Sequence, residues 1–219
     1  MKKGAGFTNY LIYISILLTI LPFLLLLTKT DTLSGFGARF ANISGLIGAV
    51  LMLWQVLLSS RIVVKKLAQY RISSIKLHIF MGTYGFFFIM THPILELLVY
   101  GEKISFLFFP DLSNNFGIYV AFGRSALYLY LFVWISSALM RNKIPYKLWK
   151  YLHYLSYPSL ALIFIHAAKV GTLLNTYPLR YYWIFLAAVY AIFVVLRLLY
   201  WLNSRLFSSS KASSSAHLE

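Results

Sequence analysis

The chain has 219 residues, 60% of them hydrophobic, 18% aromatic and 11% charged, with 20 Lys and Arg against 5 Asp and Glu and a formal net charge of +15. A water-soluble domain of this length cannot bury so much apolar side chain, so the composition excludes a soluble globular protein and predicts an integral membrane protein. The basic residues fall in short segments between apolar runs, where they act on topology and lipid headgroups, and no nucleic acid partner is expected. With no cysteine, disulfides, thiolate metal sites, iron-sulfur clusters and haem attached through C-x-x-C-H are excluded, and any redox centre has to use nitrogen or oxygen ligands.

Six apolar runs are long enough to cross a bilayer at a rise of about 1.5 Å per residue. The first, Thr8 to Thr28, follows Lys2 and Lys3 but is too long for a signal peptide and has no A-x-A-like cleavage site after Leu27, so it reads as an anchor. The second, Phe40 to Ser60, carries Ala41, Gly45 and Ala49 at four-residue spacing, a small-x-x-x-small face for close helix packing. The third runs from Ile75 to Tyr100, the fourth from Gly117 to Met140 and the fifth from Lys147 to Lys169. The sixth, Pro178 to Asn203, opens on a proline at a position where a missing N–H costs nothing. The expected fold is all-α, a polytopic six-helix transmembrane bundle over residues 1–207. Residues 208–219 are Ser-rich and read as a disordered polar tail or an expression remnant, so His217 there is set aside.

Lys and Arg divide unevenly between the two sides of this topology. One side holds Lys2, Lys3, Arg61, Lys65, Lys66, Arg71, Lys76, Arg141, Lys143, Lys147, Lys150, Arg197, Arg205 and Lys211. The other holds only Lys29, Arg39, Lys103, Arg124, Lys169 and Arg180. By the positive-inside rule both termini are then cytoplasmic.

Four of the five histidines lie inside apolar helical runs, as two pairs: His78 with His92 on the third span, and His153 with His166 on the fifth. An ionisable side chain in hydrocarbon is costly and rarely left unpaired, and two such helices point to a shared buried partner, most simply haem iron. Stepping from His78 through Gly82, Gly85 and Ile89 to His92 stays within roughly 40° of one line along a helix. The two glycines on that stripe remove bulk where a porphyrin would approach the backbone. The two histidines are separated along the axis by about 21 Å, one near each leaflet, a spacing that suits two stacked haems. Both spans run outward, so His78 faces His153 in depth and His92 faces His166. The fifth span is out of phase, because its thirteen-residue step rotates an ideal helix by roughly 1300°. Pro158 lies between the two rings and removes a helix hydrogen bond, which predicts an irregular helix near Tyr157 and Pro158.

This H-x13-H and H-x12-H spacing in a six-helix membrane unit resembles the ferric-reductase-like transmembrane domain, shared by NADPH oxidases, yeast-type ferric reductases and the membrane haem subunit of the bacterial methionine-sulfoxide reductase system. The resemblance spans about Leu11 to Asn203, and the segment from Gly123 through Arg124 to Ser137 is similar to the family's fourth helix. It implies bis-histidine ligation of two b haems, the inner by His78 and His153 and the outer by His92 and His166, in a di-haem protein that passes electrons outward across the bilayer. The anionic haem propionates would need cationic partners: Arg124 for the outer haem, with Arg71, Lys76 and Lys147 available for the inner. Glu96, one turn beyond His92, can accept a hydrogen bond from a ligand imidazole, steer a cation or relay a proton.

The sixth span is followed only by the polar tail, and Gly35-Phe-Gly37 is a G-x-G without the third glycine or a preceding strand, so no dinucleotide site is expected. The resemblance then implies a membrane oxidoreductase subunit in a bacterial inner membrane. Its partners would be lipid, a cytoplasmic flavoprotein donor and an outer-face acceptor: a reductase subunit, a ferric chelate, oxygen or a quinone. The competing expectation is a six-helix transporter whose four histidines relay protons or bind a transition metal such as zinc without haem.

Overall fold

A computed structural model of the protein describes residues 3–26, 33–69, 71–175 and 178–215, with helix as the only regular secondary structure among them. The chain divides into two units, Met1–Arg180 and Tyr181–Glu219. Among the described residues the first holds seven α-helices: α1 (Lys3–Leu24), α2 (Leu33–Leu58), α3 (Arg61–Gln69), α4 (Ser74–Tyr100), α5 (Asn115–Ala138), α6 (Tyr146–Tyr154) and α7 (Ser156–Val170). The second is most of α8 (Leu179–Ser215), which continues through the Ser-rich segment. His217 lies outside the described residues.

Among the described residues, four stretches are long and apolar enough to cross a membrane: Gly35–Leu58, Ser74–Tyr100, Asn115–Ala138 and Leu179–Asn203. The other two expected spans differ from these. In α1 a shorter apolar stretch, Tyr13–Leu24, is present, tied to α2 by the Trp54 indole N–H donating to Thr19 Oγ1 at 3.0 Å. The fifth expected span is divided into α6 and α7 at Leu155. Pro158 stands in the first turn of α7, where it cannot donate to the Tyr154 carbonyl and where a missing N–H is tolerated. The Leu155 N–H tightens to the Leu152 carbonyl at 3.1 Å instead of reaching back four residues. The irregularity expected near Tyr157 and Pro158 is therefore a helix break just ahead of them. The basic segment after α2 folds as the short helix α3, with Arg61, Lys65 and Lys66 exposed and Leu67 buried.

Within the first unit the helices pair as two antiparallel hairpins. In one, Gly37, Gly45 and Gly48 of α2 lie against Val99, His92 and Ile89 of α4. Ala41 and Ala49 of the same small-residue face are buried to about 0% and 1% exposure, so the backbones approach closely, as that spacing predicts. In the other, α5 runs against α6 and α7: Ser159 Oγ donates to the Ala126 carbonyl at 2.8 Å, and Ser137 lies beside His153.

Local capping sets where the spans begin and end. Ser73 accepts from the Lys76 N–H to start α4, and Gly101, at φ 67°, closes it in the left-handed conformation that favours glycine. Asn114 Oδ1 accepts the Gly117 N–H at 2.8 Å to start α5, and the Asp111 carboxylate accepts from the Ser113 N–H and the Asn114 amide. Those hydrogen bonds hold the Asp111 carboxyl below its ordinary pKa. Its folded pKa being depressed, their contribution is present at neutral pH and is lost as the pH falls through that lowered value.

Candidate functional site

The four intramembrane histidines meet in twos across the two hairpins. His78 of α4 and His153 of α6 have ring centroids 5.8 Å apart with their planes at 49°. His92 of α4 and His166 of α7 have centroids 6.4 Å apart at 62°. The depth matching read from the sequence is therefore what the fold produces, and the break at Leu155 lets two residues thirteen apart both face α4. Among the described residues no group of three or more His, Asp or Glu side chains forms a metal-ligand cluster.

Three of the four rings meet an oxygen of a neighbouring helix. His92 Nδ1 donates to the Ala41 carbonyl of α2 at 2.9 Å, and His166 Nδ1 to the Tyr119 carbonyl of α5 at 2.8 Å. His153 Nδ1 lies 3.1 Å from Ser137 Oγ of α5. A backbone carbonyl can only accept, so at His92 and His166 the proton is fixed on Nδ1 and the neutral ring carries its lone pair on Nε2. That is the tautomer a metal-ligating histidine needs.

Glycines let the second pair sit against the helices behind it. A Cβ added to Gly45 would lie 3.0 Å from the His92 ring, and one added to Gly123 would lie 2.7 Å from the His166 ring. Gly123→Ala is expected to push His166 off the Tyr119 carbonyl. The overpacking should lower stability by about 1–3 kcal/mol, read as an earlier thermal unfolding transition in detergent. Gly82 and Gly85, expected beside a porphyrin, face other groups: a Cβ on Gly82 would lie 2.9 Å from Gln55 Nε2, and one on Gly85 would lie 3.4 Å from Leu51 and 3.6 Å from the Tyr130 hydroxyl. Between the two pairs, Phe86 of α4 stacks on Trp134 of α5 at 3.9 Å.

A cavity of about 490 Å³ opens around the second pair, bounded by Gly45, His92, Glu96, Gly123, Arg124 and His166. Arg124 is only 7% exposed, with its guanidinium 4.1 Å from the Phe106 ring centroid. Its Nε and Nη1 are buried and find no hydrogen-bond partner among the described residues. A buried cation with two idle donors is costly unless an anion completes it. Glu96 does not serve: its Oε1 is 3.8 Å from His92 Nδ1, which already bonds the Ala41 carbonyl. A larger recess of about 730 Å³ adjoins this cavity, sharing Asn42 and Tyr100, but no histidine lines it.

Several of these residues carry no signal in the sequence. The Ala41 and Tyr119 carbonyls are backbone groups and could not be picked out by residue type. Gly45 was visible only as part of a packing motif, and Trp149, which stacks on His153 at 5.1 Å, only as one more membrane aromatic.

The chain matches no curated protein and no solved structure. A family model described as "Ferric reductase like transmembrane component" matches residues 44–164, more than half of the chain. That segment contains His78, His92, Arg124, Ser137 and His153 and ends just before His166. With the histidine pairs, the helical hairpins and this match in hand, the chain belongs to the ferric-reductase-like transmembrane family, whose members are integral membrane proteins of electron transfer that work with partner redox proteins.

Proposed function

We propose that the protein is a di-haem b electron conduit, His78 and His153 holding one haem and His92 and His166 the other. The observation that carries this reading is the spacing of the rings. Two imidazoles that would share one metal at bond lengths of about 2.0–2.1 Å need ring centroids roughly 6 Å apart, and the two pairs stand at 5.8 and 6.4 Å. Support comes also from the cavity at the second pair, within the range of about 300–1,000 Å³ usual for cofactor sites. The unsatisfied guanidinium of Arg124 in its wall suits an anionic propionate. Bound there, the haems would supply the reversible one-electron chemistry that this chain's side chains lack.

The protein's own part is to hold and orient. The carbonyls of Ala41 and Tyr119 would direct the His92 and His166 ring protons away from a metal between them. With two histidines holding each haem, the protein would leave no ligand position for a substrate, and the haems would supply electron transfer alone. The His78 and His153 end carries Arg61, Lys65, Lys66, Arg71, Lys76, Arg141, Lys143, Lys147 and Lys150, and by the positive-inside rule it faces the cytoplasm. A flavoprotein donor on that face and an acceptor on the opposite one complete the reading, in a bacterial inner membrane.

The test is a dithionite-reduced minus oxidised spectrum of the detergent-purified protein with a pyridine haemochrome assay. Sharp b-type bands with about two haems per chain are the expected result. A colourless protein that takes up no added haemin would instead favour the proton or zinc transporter.

A further inference from the structure

The two histidine pairs are not held alike. His92 and His166 lean on carbonyls, acceptors that cannot reverse their role. His153 leans on the Ser137 hydroxyl, which can donate as well as accept. If that hydroxyl donated to Nδ1, the ring proton of neutral His153 would move to Nε2 and block a metal there. The same Ser137 oxygen accepts the Trp149 indole N–H at 3.3 Å. Trp149 also stacks its ring on the His153 imidazole, centroids 5.1 Å apart and planes at 26°. Over Trp149, at 4.4 Å, lies the guanidinium of Arg141 from the basic loop, which also covers Tyr146 at 5.4 Å.

Helix geometry explains the need for such a clamp. His153 is the penultimate residue of α6, and the chain breaks at Leu155 immediately afterwards. His92 sits well inside α4 and His166 inside α7. Resting on the di-haem reading above, we infer that Trp149 and Ser137 are positioning residues for His153, holding its ring by stacking and a shared hydroxyl beside the turn at Leu155. Ser137 Oγ takes the Nδ1–H on one lone pair and the Trp149 N–H on the other, which leaves Nε2 as the ligating nitrogen. Because Arg141 caps the stack, the clamp extends from the ligand ring to the basic loop.

The experiment uses the full chain in detergent, in the wild type and in a His92→Ala background that keeps only the first-pair site. Ser137→Ala removes both bonds, Trp149→Phe keeps an aromatic stack but loses the N–H, and Ser137→Thr restores the hydroxyl. Haemin titration and potentiometric redox titration are the readouts. Ser137→Ala and Trp149→Phe should each weaken haem binding at the first pair by about 10- to 100-fold and shift the midpoint potential of that haem alone, and Ser137→Thr should recover both. The second-pair haem, still present in the wild-type background, is the internal control for folding. Unchanged affinity and potential at the first pair in both variants would overturn the inference, as would equal changes at both haems. Wild-type protein that binds no haem would overturn the di-haem reading itself, and this inference with it.

Discussion

Replacing His78 by alanine is expected to remove one haem of two and leave the other, and replacing His92 should remove the opposite one. On the proposed reading each loss would take away a haem ligand whose partner ring stands about 6 Å across the site, and a single imidazole cannot keep a six-coordinate low-spin iron. His153→Ala should therefore reproduce His78→Ala, and His166→Ala should reproduce His92→Ala, with about half the wild-type absorbance retained in each. A double variant within one pair, His92 with His166, should lose no more haem than either single. A double variant across the pairs, His78 with His92, should lose both. This pattern of non-additivity is specific to shared metals. If each histidine contributed separately to a proton relay, the four single variants would leave any bound haem untouched. Haem content and the reduced spectrum of all six variants decide the matter.

The second large effect is expected at Arg124. Its guanidinium is buried beside the second pair, with two nitrogens lacking hydrogen-bond partners among the described residues. In the haem-loaded protein a propionate would complete it, and a charge-assisted hydrogen bond contributes about 1.5–3 kcal/mol. Arg124→Met should then weaken haem binding at the second pair by roughly 10- to 100-fold, with little change at the first. The sign of the stability effect discriminates further. In haem-free protein, Arg124→Met removes a buried guanidinium whose Nε and Nη1 lack hydrogen-bond partners among the described residues and should raise the thermal unfolding temperature. In loaded protein it should lower it. A variant that is more stable in both states would mean that no anion meets Arg124, and the propionate assignment would be abandoned.

Much of this site was legible before any coordinates. Charged residues are so scarce in the apolar runs that the four histidines stand out, and their similar spacing on two spans is enough to pair them by depth. What the spacing could not supply was direction. His78 and His92 fall on one helical stripe, but the thirteen-residue step from His153 to His166 leaves their rings about 140° apart on an ideal helix. Pro158 pointed to a remedy without locating it. The break falls at Leu155, because the N–H missing at Pro158 is tolerated in a first turn and α7 therefore starts just ahead of it.

The glycines show the opposite limit. Gly82 and Gly85 share the ligand stripe, yet the nearest groups to them are Gln55, Leu51 and the Tyr130 hydroxyl. The glycines against the ligand rings are Gly45 and Gly123, on the helices behind them. Periodicity within one helix identifies a face, while the group that meets that face belongs to another helix.

Composition and spacing by themselves determined that this is a helical membrane protein, which side of it is basic, and which four residues are candidates for metal ligation, because hydrophobic run length and the cost of a buried ionisable group are local properties of the chain. Only the tertiary structure decided that the rings meet in twos at 5.8 and 6.4 Å, that backbone carbonyls fix the tautomer of His92 and His166, and that Arg124 is buried with idle donors. Those facts depend on the packing of α2 against α4 and of α5 against α6 and α7. The distances involved are a few ångströms between residues tens of positions apart, and no one-dimensional pattern encodes them.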